Sequence, residues 1–376
     1  MYKENSFYVK LQNLAGLDLR DNRGKIHNLA FVLLGLSIAL LRKRDGNLSS
    51  LHRSMENKHQ ELCTFLGLSD STEVISRSYL PVCLKRVSLL HFERLLFENY
   101  GIELSNEQKR WFAGDGKELR GSIEKGKKRG EAIVQLVDQE NRQVLGQSYY
   151  NGEKESEKPC LRNLLTTSLA SGQKISLDAL HLCPATCELI NGAGGSFLIG
   201  LKNNQAVLLE DMKFHSQNSK PIFQSEQWEK GHGRIEYREY ELYDISDEYF
   251  DPRWEKVNFR SLIKVERTRI DTKTEEENKE TSFYISNENA KIGDELFKAI
   301  RNHWQVEVNN NIRDTTFQED RLKTKEKPVS KVLAGLRTLS LALLNILKPK
   351  NMVAQLEKFQ DDFQLLLNFL RQTNFL

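Results

Sequence analysis

The amino-acid sequence predicts an α/β protein with a small helical N-terminal domain and a β-rich insertion, and three observations support this. Apolar residues recur at helical spacing from residue 13 to about residue 100. Strand-type runs then alternate with helical patterns between residues 111 and 201. Strand patterns return between residues 233 and 285. We therefore expect a helical domain (1–108), the first part of an α/β core (109–230), the insertion (231–288) and the core completion with C-terminal helices (289–376).

The helical domain is predicted from three apolar stretches, at residues 29–41, 63–68 and 84–97. The first covers only about thirteen residues, whereas a membrane span needs roughly twenty. We therefore expect a buried core helix there and no contact with a membrane.

The predicted core elements follow in the order strand, helix, strand, helix, strand. They are a strand at residues 132–137, a helix at 161–170, a strand at 174–180, a helix at 185–190 and a strand at 196–201. In such α/β layers, site residues lie at strand ends. Asp115 and Asp178 both fall at such places.

The remaining elements are predicted to be strands and then helices. The strands are expected at residues 234–244, 257–265 and 281–285, a helix from about 291 to 308, and a last amphipathic helix at 332–347. A charged link at residues 321–327 separates the two helices.

Composition narrows the protein class without naming a partner. The net charge of +3 is too small for a dedicated nucleic-acid coat protein. Five irregularly spaced cysteines and no signal-peptide pattern predict a cytoplasmic protein without disulfides. His181, Cys183 and Cys187 have no second ligand pair at zinc-finger spacing, so zinc is not predicted.

Asp115 lies in the most distinctive local motif, GDGKELRGS at residues 114–122. A carboxylate between glycines and followed by cations can hold a metal ion near a phosphate backbone. Asp115-Gly116 is an equally good signature of a tight hairpin turn. Spacing alone leaves both interpretations open.

Two further carboxylates are candidates for the same site. Asp178 ends an apolar run and should project from the end of a strand, although a helix-capping aspartate would have the same pattern. Glu307 lies three, four, seven and eleven residues after Trp304, His303, Ile300 and Leu296, which places it at the edge of a buried helical stripe.

Several segments of the chain, in the same order and at similar distances, resemble transposases of the H-repeat-associated insertion-sequence family. The segments are residues 18–41, 114–122 (GDGKELRGS), 177–179 (LDA), 198–205 (LIGLKNNQ), 232–238 (HGRIEYR), 283–286 (FYIS), 303–307 (HWQVE) and 317–320 (FQED). The resemblance covers nearly the whole chain.

The resemblance implies an RNase H-like catalytic core in which Asp115, Asp178 and Glu307 are the catalytic and metal-binding residues. Three such carboxylates can hold two Mg²⁺ or Mn²⁺ ions for cleavage and strand transfer of DNA. Glu236, in the segment HGRIEYR, is the alternative third carboxylate. It alternates with Arg234 and Arg238, which also suits a solvated or DNA-facing strand or a cross-strand ion pair.

The resemblance also implies the partners and the location. The protein is expected to bind double-stranded DNA, namely terminal inverted repeats through the helical domain and target DNA. It is expected to act as a homodimer on DNA, in a prokaryotic cytoplasm at the nucleoid. Two alternatives are a catalytically inactive DNA-binding descendant and a metal-dependent nuclease without strand transfer.

Cations near the carboxylates are candidates for phosphate contacts. They are Lys117, Arg120, Lys202, Arg234 and Arg238. The basic set within residues 321–331 can lie along DNA or form a solvated linker. His232 is a further candidate, with an exposed turn as its alternative.

The sequence departs from the family pattern after Glu307, where three consecutive asparagines occupy residues 309–311. Asparagine disfavours the helix interior. We therefore expect a weakened helix there, which is the basis for the inactive alternative.

Overall fold

The structure is a computed structural model that describes residues 3–43, 45–69, 72–104, 109–231 and 233–376. The helices are α1 Phe7–Asn13, α2 Leu29–Arg42, α3 Leu48–Asn57, α4 His59–Leu66, α5 Leu80–Leu84, α6 Leu89–Tyr100, α7 Lys154–Thr167, α8 Pro184–Gly192, α9 Ala206–Asn218, α10 Gly293–Asn302, α11 Trp304–Thr315, α12 Lys327–Leu347, α13 Met352–Asp361 and α14 Phe363–Gln372. The strands are β1 Trp111–Glu118, β2 Ala132–Asp138, β3 Val144–Tyr150, β4 Lys174–Leu177, β5 Ser196–Leu201, β6 Phe223–Gly231, β7 Arg234–Asp244, β8 Ser261–Asp271 and β9 Glu277–Ser286.

The described strands form one mixed sheet of nine strands in the order β3-β2-β1-β4-β5-β9-β8-β7-β6. Strands β1, β2 and β3 pair antiparallel, while β4 runs parallel to β1 and β5 parallel to β4. Strand β9 pairs antiparallel with β5, and β8, β7 and β6 follow in antiparallel order. The fold is therefore mixed α/β, as predicted.

The predicted β-rich insertion is continuous with the rest of the sheet, because β9 adds directly to β5. A strand that the sequence did not predict, β6, precedes it and starts at Phe223. The polar residues of β6 are mostly exposed on both faces, so the strand lacks the apolar alternation by which strands are recognised.

Helices from both ends of the chain share one hydrophobic core. Helix α2 is buried over its whole length and packs against α3, α12 and α13. The long apolar helix α12 packs against α2, α6 and β3, and so joins the helices to the sheet. It is long and apolar enough to cross a membrane, but 89% of its most apolar window is buried inside the protein, as in a core helix.

The helix expected at about residues 291–308 is two helices, α10 and α11, which are separated at His303. The imidazole Nδ1 of His303 lies 2.8 Å from the hydroxyl of Ser176 in β4. Helix α11 then continues through the three asparagines to Thr315. The helix is not interrupted at the asparagines, and two of their side chains are hydrogen-bonded: Asn309 donates to the carbonyl of Arg142, and Asn310 donates to Asp115.

Candidate active site

Asp115 and Asp178 lie next to each other because of the register between two parallel strands. Strand β1 pairs with β4 up to Gly114 and Leu177, and each aspartate is the next residue. Asp115 lies within β1, opposite Gln135 of β2, so the hairpin-turn interpretation of Asp115-Gly116 is wrong. Asp178 also caps a short 3-10 helix by accepting from the backbone N–H of Ala179. Its two predicted roles, strand end and cap, therefore coincide.

Helix α11 runs along β1 and aligns Glu307 with the aspartates. Val306 shares an apolar cluster with Ala113, Asn310 donates to Asp115 at 3.1 Å, and Asp314 pairs with Lys117 at 2.7 Å. The contacts occur at every fourth residue of α11 and every second residue of β1. Four residues of a helix rise about 6 Å and two residues of a strand about 6.6 Å, so the spacing of the contacts is nearly the same along both elements. Glu307 follows Val306 and lines the same cavity as Asp115 and Asp178.

Burial and neighbouring carboxylates raise the pKa values of Asp115 and Glu307. The pKa of Asp115 rises to about 7 because of burial and the nearby charges of Glu157, Glu307 and Asp178, against a hydrogen bond from the Gly116 backbone that lowers it. The pKa of Glu307 is raised by the partial removal of its carboxylate from water and by the charge of Asp178. Bound cations favour the ionised form of such groups. The site therefore has the electrostatics of a cation site.

The donors fit a hard divalent cation, because they are carboxylate oxygens. Within the described ranges, no three His, Cys, Asp or Glu side chains are already close enough to hold an ion. Asp178 and Glu307 are exposed, so their side chains have room to turn toward Asp115. The oxygen donors thus suit Mg²⁺ or Mn²⁺, and the carboxylates of Asp178 and Glu307 must move closer to Asp115 for the three groups to bind one ion.

The cavity that contains the three carboxylates has a volume of about 860 Å³ and is rimmed by cations. Two of them, Lys202 and Arg238, are among the predicted phosphate contacts, and Lys202 lies 3.9 Å from Asp178. The sequence analysis missed Lys213, Arg267 and Arg301, which also line the cavity; only Arg301 had a sequence signal, its proximity to motif residues. The assignment of Trp304 to a buried helical stripe is wrong, because its side chain is 54% exposed and lines the cavity.

Three other predicted phosphate contacts lie away from this cavity. Lys117 is buried and paired with Asp314. Arg120 is exposed, 3.9 Å from Asp320. Arg234 pairs with Glu236 at 2.7 Å. His232 lies outside the described residues.

The structure does not bring Glu236 to the aspartates. Glu236 is buried in β7, where it forms ion pairs with Arg234, Arg238 and, across the strand pair at 3.7 Å, Arg269. Arg238 lines the cavity, but Glu236 does not. The geometry matches the cross-strand ion pair among the interpretations of this residue.

Glu157 of α7 is a fourth carboxylate close to Asp115, and the sequence analysis missed it. It accepts a hydrogen bond from Tyr150 at 2.9 Å and lies 3.2 Å from Nε2 of His181. A Cβ atom on Gly116 would lie 2.7 Å from its carboxyl carbon. A side chain at position 116 would therefore displace the Glu157 carboxyl group and the Tyr150 hydroxyl, and His181 lies against the same carboxyl group.

Comparison with known proteins places the chain in a family. The model of the transposase DDE domain matches residues 100–343, which include all three carboxylates. The H repeat-associated putative transposase YhhI of Escherichia coli K12 is 28% identical over 260 residues, covering 64% of this chain and 65% of that protein. The putative transposase YncI of E. coli O157:H7 is 26% identical over 243 residues, covering 61% and 60%.

These matches confirm the resemblance to H-repeat-associated transposases that the sequence motifs indicated. The chain spans just under two thirds of the length of these relatives. The matched domain defines a class of enzymes that act on DNA and generally use divalent metal ions. The chain belongs to the family of proteins with a transposase DDE domain.

Proposed function

We propose that this protein is the DNA transposase of an insertion sequence, which cleaves phosphodiester bonds and transfers strands at the ends of its element. The observation that carries this proposal is the convergence of Asp115, Asp178 and Glu307, from three distant segments, on one cation-rimmed cavity. The strand order β3-β2-β1-β4-β5, with β1 to β3 antiparallel and β4 and β5 parallel to β1, supports an RNase H-like core.

Asp115, Asp178 and Glu307 would hold the metal ions in this mechanism. Two Mg²⁺ or Mn²⁺ ions, when bound, activate the attacking oxygen and stabilise the leaving 3′ oxygen. Asn310 fixes the orientation of the Asp115 carboxylate through its side-chain amide. Lys202, Arg267 and Arg301 neutralise phosphates at the rim of the cavity.

Trp304 has a separate role in this proposal. Its side chain is 54% exposed at the cavity, one helical turn before Glu307. An exposed indole face can stack on a nucleobase of an opened DNA end. Trp304 would thereby position the strand whose phosphate reaches the carboxylates.

The partners in this proposal are the terminal inverted repeats of the element and a target duplex. Two ends are expected to be held by a homodimer, with the N-terminal helices contacting the repeats. The protein would act in the cytoplasm of a prokaryote, at the nucleoid.

The inactive alternative rests on a distorted Glu307 helix, whereas α11 is regular from Trp304 to Thr315. Nothing in the described structure therefore favours it. A nuclease without strand transfer would share the same carboxylates and differ in its product, because only a transposase joins the cleaved end to a second duplex.

The test is cleavage and joining of a labelled duplex that contains the end of the element, with Mg²⁺ or Mn²⁺. We expect Asp115→Asn, Asp178→Asn and Glu307→Gln to lose both reactions, while Glu236→Gln retains them. Circular dichroism would confirm that each variant is folded. Cleavage that survives in Glu307→Gln but not in folded Glu236→Gln would overturn the assignment, and cleavage without joining would favour the nuclease.

A further inference from the structure

A strongly basic surface lies beyond the end of β1 and is built from two segments, residues 120–131 and 320–331, here called the basic patch. The two segments contain ten Lys and Arg residues and four Asp and Glu residues, a net charge of +6. The whole chain has a net charge of only +3. The remainder of the protein has a net charge of −3, so the net positive charge of the chain comes from this patch.

Backbone contacts hold the two segments together. The backbone N–H of Thr324 donates to the carbonyl of Gly121 at 3.2 Å. A Cβ atom on Gly121 would lie 1.6 Å from the carbonyl oxygen of Leu322, so the two backbones touch. Lys327 and Lys331 both pair with Glu131, at 2.9 and 2.8 Å. The segment 320–331 is thus anchored to the sheet and is not a free linker.

Four lysines of the basic patch are free to bind an anion. Lys125, Lys128, Lys323 and Lys325 are exposed, and none has an ion pair with a described carboxylate. The nearby acidic residues are already paired, Glu124 with Lys127 and Glu131 with Lys327 and Lys331. Like charges held together repel one another, and a polyanion relieves that repulsion.

The composition of the patch suits the phosphate backbone of DNA. Its cations are mostly lysines, which act as point charges toward phosphate, and neither segment contains an aromatic residue to stack on bases. Glu118, where β1 ends, is three strand residues from Asp115, or about 10 Å. That distance corresponds to about three base pairs of duplex DNA.

We propose that the basic patch binds the phosphate backbone of duplex DNA, without regard to sequence, beginning about three base pairs from the phosphate that reaches Asp115. The position relative to the cleaved bond rests on the proposed function. Binding of duplex DNA by the patch does not, and it can be measured without catalysis.

The experiment uses the full chain and a duplex of arbitrary sequence of about 30 base pairs, roughly 100 Å long. Binding would be followed by fluorescence anisotropy over a range of NaCl concentrations, without divalent metal. The variant replaces Lys125, Lys128, Lys323 and Lys325 by Gln. The matched control replaces four exposed cations elsewhere, Lys348, Lys350, Lys358 and Arg371, by Gln.

The patch variant is expected to bind at least roughly tenfold more weakly, and to lower the slope of log affinity against log salt by about 3 to 4, since each phosphate contact contributes about 0.9. The control should retain the wild-type slope. An unchanged slope in the patch variant, or an equal loss in the control, would overturn the proposal.

Two further measurements, of vesicle binding and of cleavage at element ends, distinguish a failure of this proposal from a failure of the proposed function. If the patch variant loses binding to phosphatidylglycerol vesicles but keeps its affinity for DNA, the patch serves a membrane and the proposal is overturned. If the patch variant loses DNA binding although wild-type protein never cleaves element ends, the patch stands and only the proposed transposase activity fails.

Discussion

Lys117 shows how the environment of a residue decides its role. It follows Asp115 by two positions and therefore faces the same helix, α11. Its ammonium group lies within 4 Å of Asp314, Glu319 and Asp320, and the side chain is buried. Lys117 was predicted to contact DNA phosphate. Its ammonium group instead forms ion pairs inside the protein, which link β1 to α11 and to the turn that follows α11.

Glu319 is the centre of this buried charge network. Arg313 donates to both of its carboxylate oxygens, at 2.8 and 2.7 Å, and Arg337 lies 3.6 Å away. These arginines hold the pKa of Glu319 at about 2, against the effect of burial. Removal of the carboxylate would leave two buried guanidinium groups without a full counter-charge.

We predict that Glu319→Gln lowers the free energy of unfolding by about 3 to 5 kcal/mol at pH 7. Because the folded pKa of Glu319 is depressed, its stabilisation is present above the unfolded pKa of about 4.5 and is lost as the pH falls toward 2. The difference between wild type and variant should therefore narrow below pH 4.5. Urea unfolding at a series of pH values measures it.

The matched control for this prediction is Glu124→Gln, which removes an exposed pair with Lys127. It should leave the free energy of unfolding nearly unchanged, because the pair is exposed to solvent. A gap between Glu319→Gln and wild type that stays constant from pH 7 to pH 3 would contradict the assigned pKa.

The three carboxylates could be predicted because each lies in a recognisable sequence motif. The side chains that surround them in the fold could not be predicted in this way. Asp115, Asp178 and Glu307 were identified from motifs and now lie on one cavity. Glu157 reaches the site from α7 across the sheet, and no spacing in the sequence connects it with Gly116. Contacts of this kind depend on tertiary packing alone.

At the scale of elements, α11 is stabilised by contacts that override its poor helix propensity. The side-chain amides of Asn309 in α11 and Asn345 in α12 both donate to the carbonyl of Arg142, at 2.9 and 3.2 Å. Arg142 lies in the turn between β2 and β3 with a φ of 62°. This turn is therefore held by two helices.

We predict that the two asparagines are coupled. Asn309→Ala or Asn345→Ala alone should cost about 1 kcal/mol of unfolding free energy, because the carbonyl keeps one donor. The double variant leaves that carbonyl without a donor and should cost about 1 kcal/mol more than the sum of the single changes. Thermal or urea unfolding of wild type, the two single variants and the double variant gives the coupling energy. If the effects of the two single changes simply add, the two asparagines are not coupled through the carbonyl of Arg142.

Helix boundaries were less predictable than the helices themselves. The break at His303 occurs where the chain must bring an imidazole to Ser176, and the hydrophobic periodicity of residues 291–308 continues across it. The pKa of His303 falls to about 4 because of burial, so at neutral pH the ring is uncharged beside the carboxylates.

At the scale of the whole molecule, the chain begins and ends in the same helical core. Phe7 stacks on Phe375, with ring centroids 5.4 Å apart, and α2 packs against α12 and α13. The sequence divided these segments into separate units, because nothing in a local pattern shows which apolar faces meet. The pairing of β5 with β9 was hidden for the same reason, since about 85 residues separate their partners.

We predict that residues 1–104 do not fold by themselves. Every residue of α2 is buried in the full chain, and part of that burial is supplied by α12 and α13. The isolated fragment should show no cooperative thermal transition by circular dichroism, whereas the full chain should show one. A cooperative transition in the fragment would contradict this prediction and support residues 1–108 as an independent domain.

The closure of the helical core by α12 to α14 has a consequence for synthesis on the ribosome. About 230 residues separate α6 from α12, and at about 5–20 residues per second they take roughly 10–45 s to translate. During that interval the most apolar helix of the nascent chain, α2, has emerged without the helices that will cover it. Newly made chains should therefore depend on chaperones that shield apolar segments until translation reaches about the last fifty residues.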